Sequence, residues 1–160
     1  MIGARGARIV TAALVLASAA CLVSRADAAM RIADDRGGRI GTYIDKYEAL
    51  KESNETVVID GMCASACTIV LGTIAPDRIC ITPKANLGFH AAWDFGPGGR
   101  QVTNAVATRM LYQIYPTHIK RWISRRGGLK PGMIFLRGRE LAGMYKPCYM
   151  DAQASGARTH

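Results

Sequence analysis

The stretch Val57-Val58-Ile59-Asp60-Gly61-Met62-Cys63-Ala64-Ser65-Ala66-Cys67-Thr68-Ile69-Val70-Leu71 constrains this chain most. A β-branched run that stops at a glycine and resumes as small, then apolar, residues predicts strand, sharp turn and helix. Ser65 falls on the turn. There its hydroxyl stands clear of the sheet, with the first helical N–H groups and the dipole behind them directed at any charge developing beside it. A serine so placed is presented as a nucleophile, although the same pattern also describes an ordinary strand-helix joint with a capping serine.

Two further segments point toward the nucleophile. Ala85-Asn86-Leu87-Gly88-Phe89-His90 predicts a short strand ending in a histidine 25 residues after Ser65. Imidazole is the usual base for a serine because it titrates near neutrality. Upstream, Asp34-Asp35-Arg36-Gly37-Gly38-Arg39 separates a short apolar start from a helical pattern. Paired glycines let backbone N–H groups approach a ligand closely.

In this order and near these spacings, the three segments resemble the Clp protease proteolytic subunit and the wider Clp/crotonase superfamily, over about residues 31–145. The resemblance implies an α/β fold, a ClpP/crotonase-like parallel β-sheet flanked by helices in one small domain. It also implies roles: Ser65 as nucleophile, His90 as base, and the Gly38 and Ala66 N–H groups as the oxyanion hole. The segment between the glycine pair and the serine is about two residues shorter than the family's, a difference a helix-to-strand loop absorbs. Where the family carries its aspartate, this chain has Met133 or Ile134, and no Asp lies between Asp94 and Asp151. Asp94, four residues past His90, is the first candidate for the third member, with Glu140 and Asp60 behind it. A backbone carbonyl or water on the other imidazole nitrogen would serve as a slower dyad. A serine-lysine pair, for which Lys84 is the nearest option, ranks below the histidine.

The rest of the chain places these pieces. Residues 1–28 read as a secretory signal peptide: basic Arg5 and Arg8, an apolar run over residues 9–23, and Ala26-Asp27-Ala28 before Ala29. Lipidation at Cys21 is disfavoured by Ser18 three positions before it. Residues 29–150 then form the domain, and residues 151–160 a polar tail predicted to be disordered. Removal of the leader takes Arg5, Arg8, Arg25 and Asp27 with it, so the formal charge falls from +9 to about +7. A chain of this size supports one core, not two.

Export, predicted to end in a bacterial periplasm, exposes thiols to oxidants. The four cysteines left, Cys63, Cys67, Cys80 and Cys148, therefore read as disulfide candidates with three possible pairings. Cys67 with Cys80 and Cys63 with Cys148 is favoured, because a bond from Cys63 to Cys67 would strain the serine between them. Metal binding is the weaker alternative, since neither His90 nor His118 has a ligand-spaced partner. Paired thiols would also exclude Cys63 as a nucleophile.

Met30-Arg31-Ile32-Ala33 predicts a first strand. Ile40, Tyr43, Ile44, Tyr47 and Leu50 mark an amphipathic helix over residues 40–50. Residues 56–60 follow as a buried strand, so the crossover between the two is parallel. A strand is read over residues 78–82, a mobile loop over 91–99 bearing Trp93, Asp94 and Phe95, and helix over 102–123 broken after Tyr115 by Pro116. Residues 133–142 read as a last strand and helix. Seven cations between Lys120 and Arg139, against Glu140 alone, form either a solvated face or a surface for membrane or an acidic partner.

Three functions fit these observations: an exported serine hydrolase acting on peptide or protein, a non-catalytic relative serving as a binding or assembly module, and an acyl-thioester enzyme of the crotonase branch. The last would need coenzyme A, which is foreign to an exported protein. No cofactor and no metal enters the hydrolase chemistry, no nucleic acid is expected outside the cell, and no ATP is there to drive an unfoldase. The resemblance makes a homo-oligomer a fair expectation.

Overall fold

The computed structural model describes residues 29–148. The expected signal peptide and tail lie outside the described residues. One small α/β domain is built on a six-stranded mixed sheet. Its central strand is β2 (Thr56–Ala64), and β1 (Ala29–Asp35) pairs parallel with it along one edge. The other edge of β2 is shared: Val57, Val58 and Ile59 pair with β3 (Ile79–Ile81), while Met62, Cys63 and Ala64 pair with β4 (Asn86–Phe89), both parallel. β2 thus forks the sheet and delivers its C-terminal end beside the end of β4.

The β-branched run does not stop at Gly61, as the sequence suggested. The strand continues to Ala64, because the β1–β2 register slips there: Ile32 faces Ile59, whereas Asp34 faces Met62. The extra residue on β2 is a bulge, a site that tolerates a glycine. A Cβ on Gly61 would sit 1.9 Å from Ala33 O, so no other residue fits.

Helix α1 (Ile40–Ser53) crosses between β1 and β2 as its periodicity predicts, burying Tyr47 and half-burying Ile40, Tyr43, Ile44 and Leu50. It runs three residues past Leu50 and ends at Asn54 in the left-handed conformation. In place of a mobile loop, residues 93–103 form a hairpin of β5 (Trp93–Phe95) and β6 (Gln101–Thr103). Pro116 breaks the following helical stretch as expected, into α3 (Ala105–Ile114) and α4 (Thr117–Arg125). Phe89 meets Tyr115 edge-on at 5.3 Å and lies 5.6 Å from Trp122, which joins the sheet to both helices. β7 (Ile134–Arg137) adds antiparallel to β4, α5 (Gly138–Ala142) follows it, and β8 (Lys146–Pro147) closes beside β3. No helix among the described residues is long and apolar enough to cross a membrane.

Both disulfides differ from the favoured pairing. Cys63 is bonded to Cys67 across the Ser65 turn, with Cα atoms 5.3 Å apart, and Cys80 is bonded to Cys148 at 4.9 Å. The geometry explains the difference. Cys63 and Cys67 are both wholly buried on the inner side of the turn, while β8 brings Cys148 beside Cys80 through the Cys80–Lys146 and Ile81–Pro147 register. Within the basic segment, Arg126 bonds Glu140 at 2.7 Å and stacks over Trp122 at 4.6 Å.

Asp60 is buried on β2 and accepts from the Arg31 guanidinium. Hydrogen bonds from Thr82 and from Arg31 hold its carboxyl below the ordinary aspartate value. A depressed folded pKa contributes stability above the unfolded pKa, and that stability is lost as pH falls through the folded value. Denaturant midpoints should therefore drop as pH is lowered from about 5 through the ordinary aspartate value and below it. Asp60→Asn should flatten that drop, and an unchanged slope would remove Asp60 from the acid response.

Candidate active site

β2 arrives extended at Ala64, and Ser65 then turns into the left-handed region with φ +56°. For a non-glycine residue this conformation costs about 1–3 kcal/mol and persists only where neighbours impose it. Several do. The Thr68 hydroxyl donates to Ser65 O at 2.6 Å, and the Tyr115 hydroxyl lies 2.6 Å from Thr68 Oγ1. Because a carbonyl only accepts, the Thr68 proton is committed to it and Tyr115 donates to Thr68. Burial pushes the Tyr115 phenol well above its usual range, so that proton stays in place. The Cys63–Cys67 bond clasps the turn from beneath, and Tyr47 donates to Cys67 Sγ at 3.6 Å. The predicted helix after the serine begins as a five-residue 3₁₀ turn (Ser65–Ile69) and continues as α2 (Val70–Thr73).

The glycine turn lies directly against the serine. A Cβ on Gly37 would come within 2.6 Å of Ala64 O and Ser65 Cβ and 2.7 Å of Ala66 N. Gly37, with φ +83°, therefore makes the contact, a role the sequence did not distinguish from that of its neighbour. Its N–H is spent on Asp35 Oδ1 at 2.9 Å, so the amide the turn can still offer is that of Gly38. Asp35 organises this turn: Oδ1 also accepts from the Tyr43 hydroxyl at 2.5 Å, and Lys46 approaches Oδ2 at 3.5 Å. Burial and the adjacent Asp35 push the Tyr43 phenol up to about 12. The Asp-x-Gly spacing is the signal that would have marked Asp35, since aspartate side chains commonly bond the backbone two residues on.

His90 follows β4, two residues beyond the Ala64–Gly88 pair of the sheet, and lines the same cavity of about 780 Å³ as Ser65, Gly38 and Ala66. No hydrogen bond joins Ser65 to His90. The imidazole Nδ1 lies 2.7 Å from Ala91 O. A carbonyl cannot donate, so Nδ1 carries a proton and Nε2 is the accepting nitrogen of the neutral ring. The carbonyl is held by its surroundings: Ala91 N–H donates to Lys130 O at 2.7 Å and Ala92 N–H to Thr108 Oγ1 at 3.0 Å.

Asp94 is not paired with His90. It lines the cavity, but its Oδ2 accepts from Asn104 Nδ2 at 2.6 Å, while Asn104 Oδ1 caps α3 by accepting from Ala107 N–H. Asp94 stands in β5 of the hairpin, and its carboxylate is engaged there by Asn104. The other two acids are also engaged elsewhere, Glu140 with Arg126 and Asp60 with Arg31. Lys84 is exposed and is not among the cavity residues. His118 contacts Tyr145 at 3.2 Å, away from the cavity.

One cavity thus gathers a hydroxyl in a strained turn, an imidazole with a defined tautomer and two backbone amides, and lacks a carboxylate behind the imidazole. No protein-family model matches the chain, and no curated protein matches its sequence.

Proposed function

We propose that the chain is an exported serine hydrolase of the Clp/crotonase superfamily that cleaves peptides through an acyl-enzyme on Ser65. The observation that carries this reading is the left-handed Ser65 seated on Gly37 in the cavity that also holds His90. Backbone strain of this kind concentrates at functional sites. Ser65 Oγ attacks the scissile carbonyl carbon as His90 Nε2 takes its proton, and the new C–O⁻ is held by the Gly38 and Ala66 N–H groups. Collapse breaks the C–N bond, and the amine leaves with the proton from His90. Water then repeats the cycle on the ester. The hydroxyl and imidazole come within hydrogen-bond reach in the substrate complex, as is common for sites that are loose when empty.

The Ala91 carbonyl sets the tautomer that a triad aspartate would set, but brings only a partial charge to the imidazolium. Turnover is therefore slow compared with a full triad. The missing carboxylate, with the absence of a Ser65–His90 bond, also favours a second reading, a non-catalytic binding or assembly module on the same fold.

A fluorophosphonate probe separates the two. The oxidised protein should label, Ser65→Ala should not, and His90→Ala should label roughly 10²–10⁴ times more slowly. A folded wild type that fails to label would leave the binding module.

A further inference from the structure

The rim of the Ser65 cavity is charged on one side and apolar on the other. Arg36 and Arg39 flank the glycine pair and line the cavity. Arg36 has only a 3.5 Å contact with Asp34, both side chains being well exposed, and Arg39 has no ion-pair partner among the described residues. Of the carboxylates nearby, Asp35 is offset by Lys46, whereas Asp94 accepts from the neutral Asn104 amide and keeps its charge, so the cavity lining holds the two guanidinium groups against one carboxylate. On the other side, Trp93 and Phe95 meet edge-on at 5.2 Å and remain 38 % and 75 % exposed. Large exposed apolar groups at the mouth of a cavity mark a binding surface.

We infer that the site selects peptide segments in which an acidic side chain lies next to an apolar one. The carboxylate is held by Arg36 and Arg39, whose guanidinium groups match its geometry, and the apolar side chain lies against Trp93 and Phe95. This rests on the cavity shared with the hydrolase reading and names the substrate class of that site.

The test uses the Ser65→Ala protein, which cannot turn over, titrated with acetylated hexapeptides containing Glu-Leu, Gln-Leu or Lys-Leu and no aromatic residue. The quenching or shift of Trp93 emission reports binding, because Trp122 is buried in the core. The Glu-Leu peptide should bind about tenfold more tightly than Gln-Leu, and Lys-Leu more weakly still. The advantage should shrink at high salt. Arg36→Gln with Arg39→Gln should erase the preference for Glu over Gln. Trp93 stays as the reporter while Phe95→Ala weakens all three peptides. Equal binding of Glu-Leu and Gln-Leu, preference for Lys-Leu, a preference that survives loss of both arginines, or no binding would each overturn the inference. Its failure is distinguishable from failure of the hydrolase reading: a wild type that labels with fluorophosphonate but shows no acidic preference loses only the selectivity, while an unlabelled protein with the preference loses only the catalysis.

Discussion

Gly37→Ala should cost about 2–4 kcal/mol of stability and silence Ser65. The left-handed φ of +83° penalises any Cβ by roughly 1 kcal/mol. The larger part is steric. The new methyl would lie 2.6–2.7 Å from Ala64 O, Ser65 Cβ and Ala66 N, atoms at the end of a central strand that the Cys63–Cys67 bond holds in place. Neither backbone can yield without unseating the serine, so fluorophosphonate labelling should fall by roughly 10² or more, an effect comparable to losing an oxyanion donor. Gly38→Ala is the control. Its Cβ would meet only the Tyr43 ring edge at 3.4 Å, and its φ is not left-handed, so its N–H would remain available at little cost in stability. If Gly37→Ala labels like the wild type, contact between the glycine turn and the serine is not what presents the hydroxyl.

Removing the two disulfides should have opposite consequences for stability and reactivity. Cys80 and Cys148 are 68 residues apart, and closing a loop of that length restrains the unfolded chain by about 4 kcal/mol in the chain-entropy treatment. Cys63 and Cys67 are 4 residues apart, for which the same treatment gives about 2 kcal/mol. Denaturant midpoints of the paired alanine variants should therefore fall further for Cys80→Ala with Cys148→Ala. Labelling should follow the reverse order. The longer bond fastens β8 to the sheet edge, where Cys148 N–H donates to Ile81 O at 2.9 Å, far along the chain from the serine. The shorter one holds the strained turn itself, so its loss should slow labelling of the still-folded protein. Equal labelling of both variants below their unfolding range would assign the Ser65 geometry to Thr68, Tyr115 and Gly37 instead.

The elements that the sequence made legible share one property: their signal is local and periodic. α1 could be read from five apolar positions on one face, the parallel crossover from strand-helix-strand order, and the break between α3 and α4 from Pro116. The bulge at Gly61 was misread as a strand end because a glycine stops a pattern in either case, and only the approach of Ala33 O distinguishes them. The hairpin of β5 and β6 was not legible because its strands are only three residues long and the glycine-rich connection between them reads as loop, so no two-residue alternation is long enough to detect.

Within the candidate site, Ser65, His90 and the glycine pair were legible as candidates because each sits at an element boundary with a characteristic residue type. Asp35, Thr68, Tyr115 and Asn104 were not, because each acts through a bond whose partner is set by packing. Tyr115 lies 47 positions from Thr68, and nothing local to either marks the other. The disulfide pairing was not legible for a related reason: local spacing suggests that a bond across the turn would distort the serine, whereas the turn is left-handed at Ser65 and the buried Cys63 and Cys67 meet on its inner side.

The amino-acid sequence by itself therefore determined the order of the longer strands and the helices, though not of β5, β6 and β8, together with the residue types available for chemistry and where along the chain they stand, since these follow from periodicity and from what glycine, proline and serine permit locally. Tertiary structure alone decided that β2 forks the sheet and brings the Ser65 turn beside the end of β4, that Gly37 rather than Gly38 meets the serine, that a carbonyl rather than Asp94 backs His90, and which cysteines pair. Those outcomes depend on distances between segments remote in sequence, and such distances are settled only when the whole core packs.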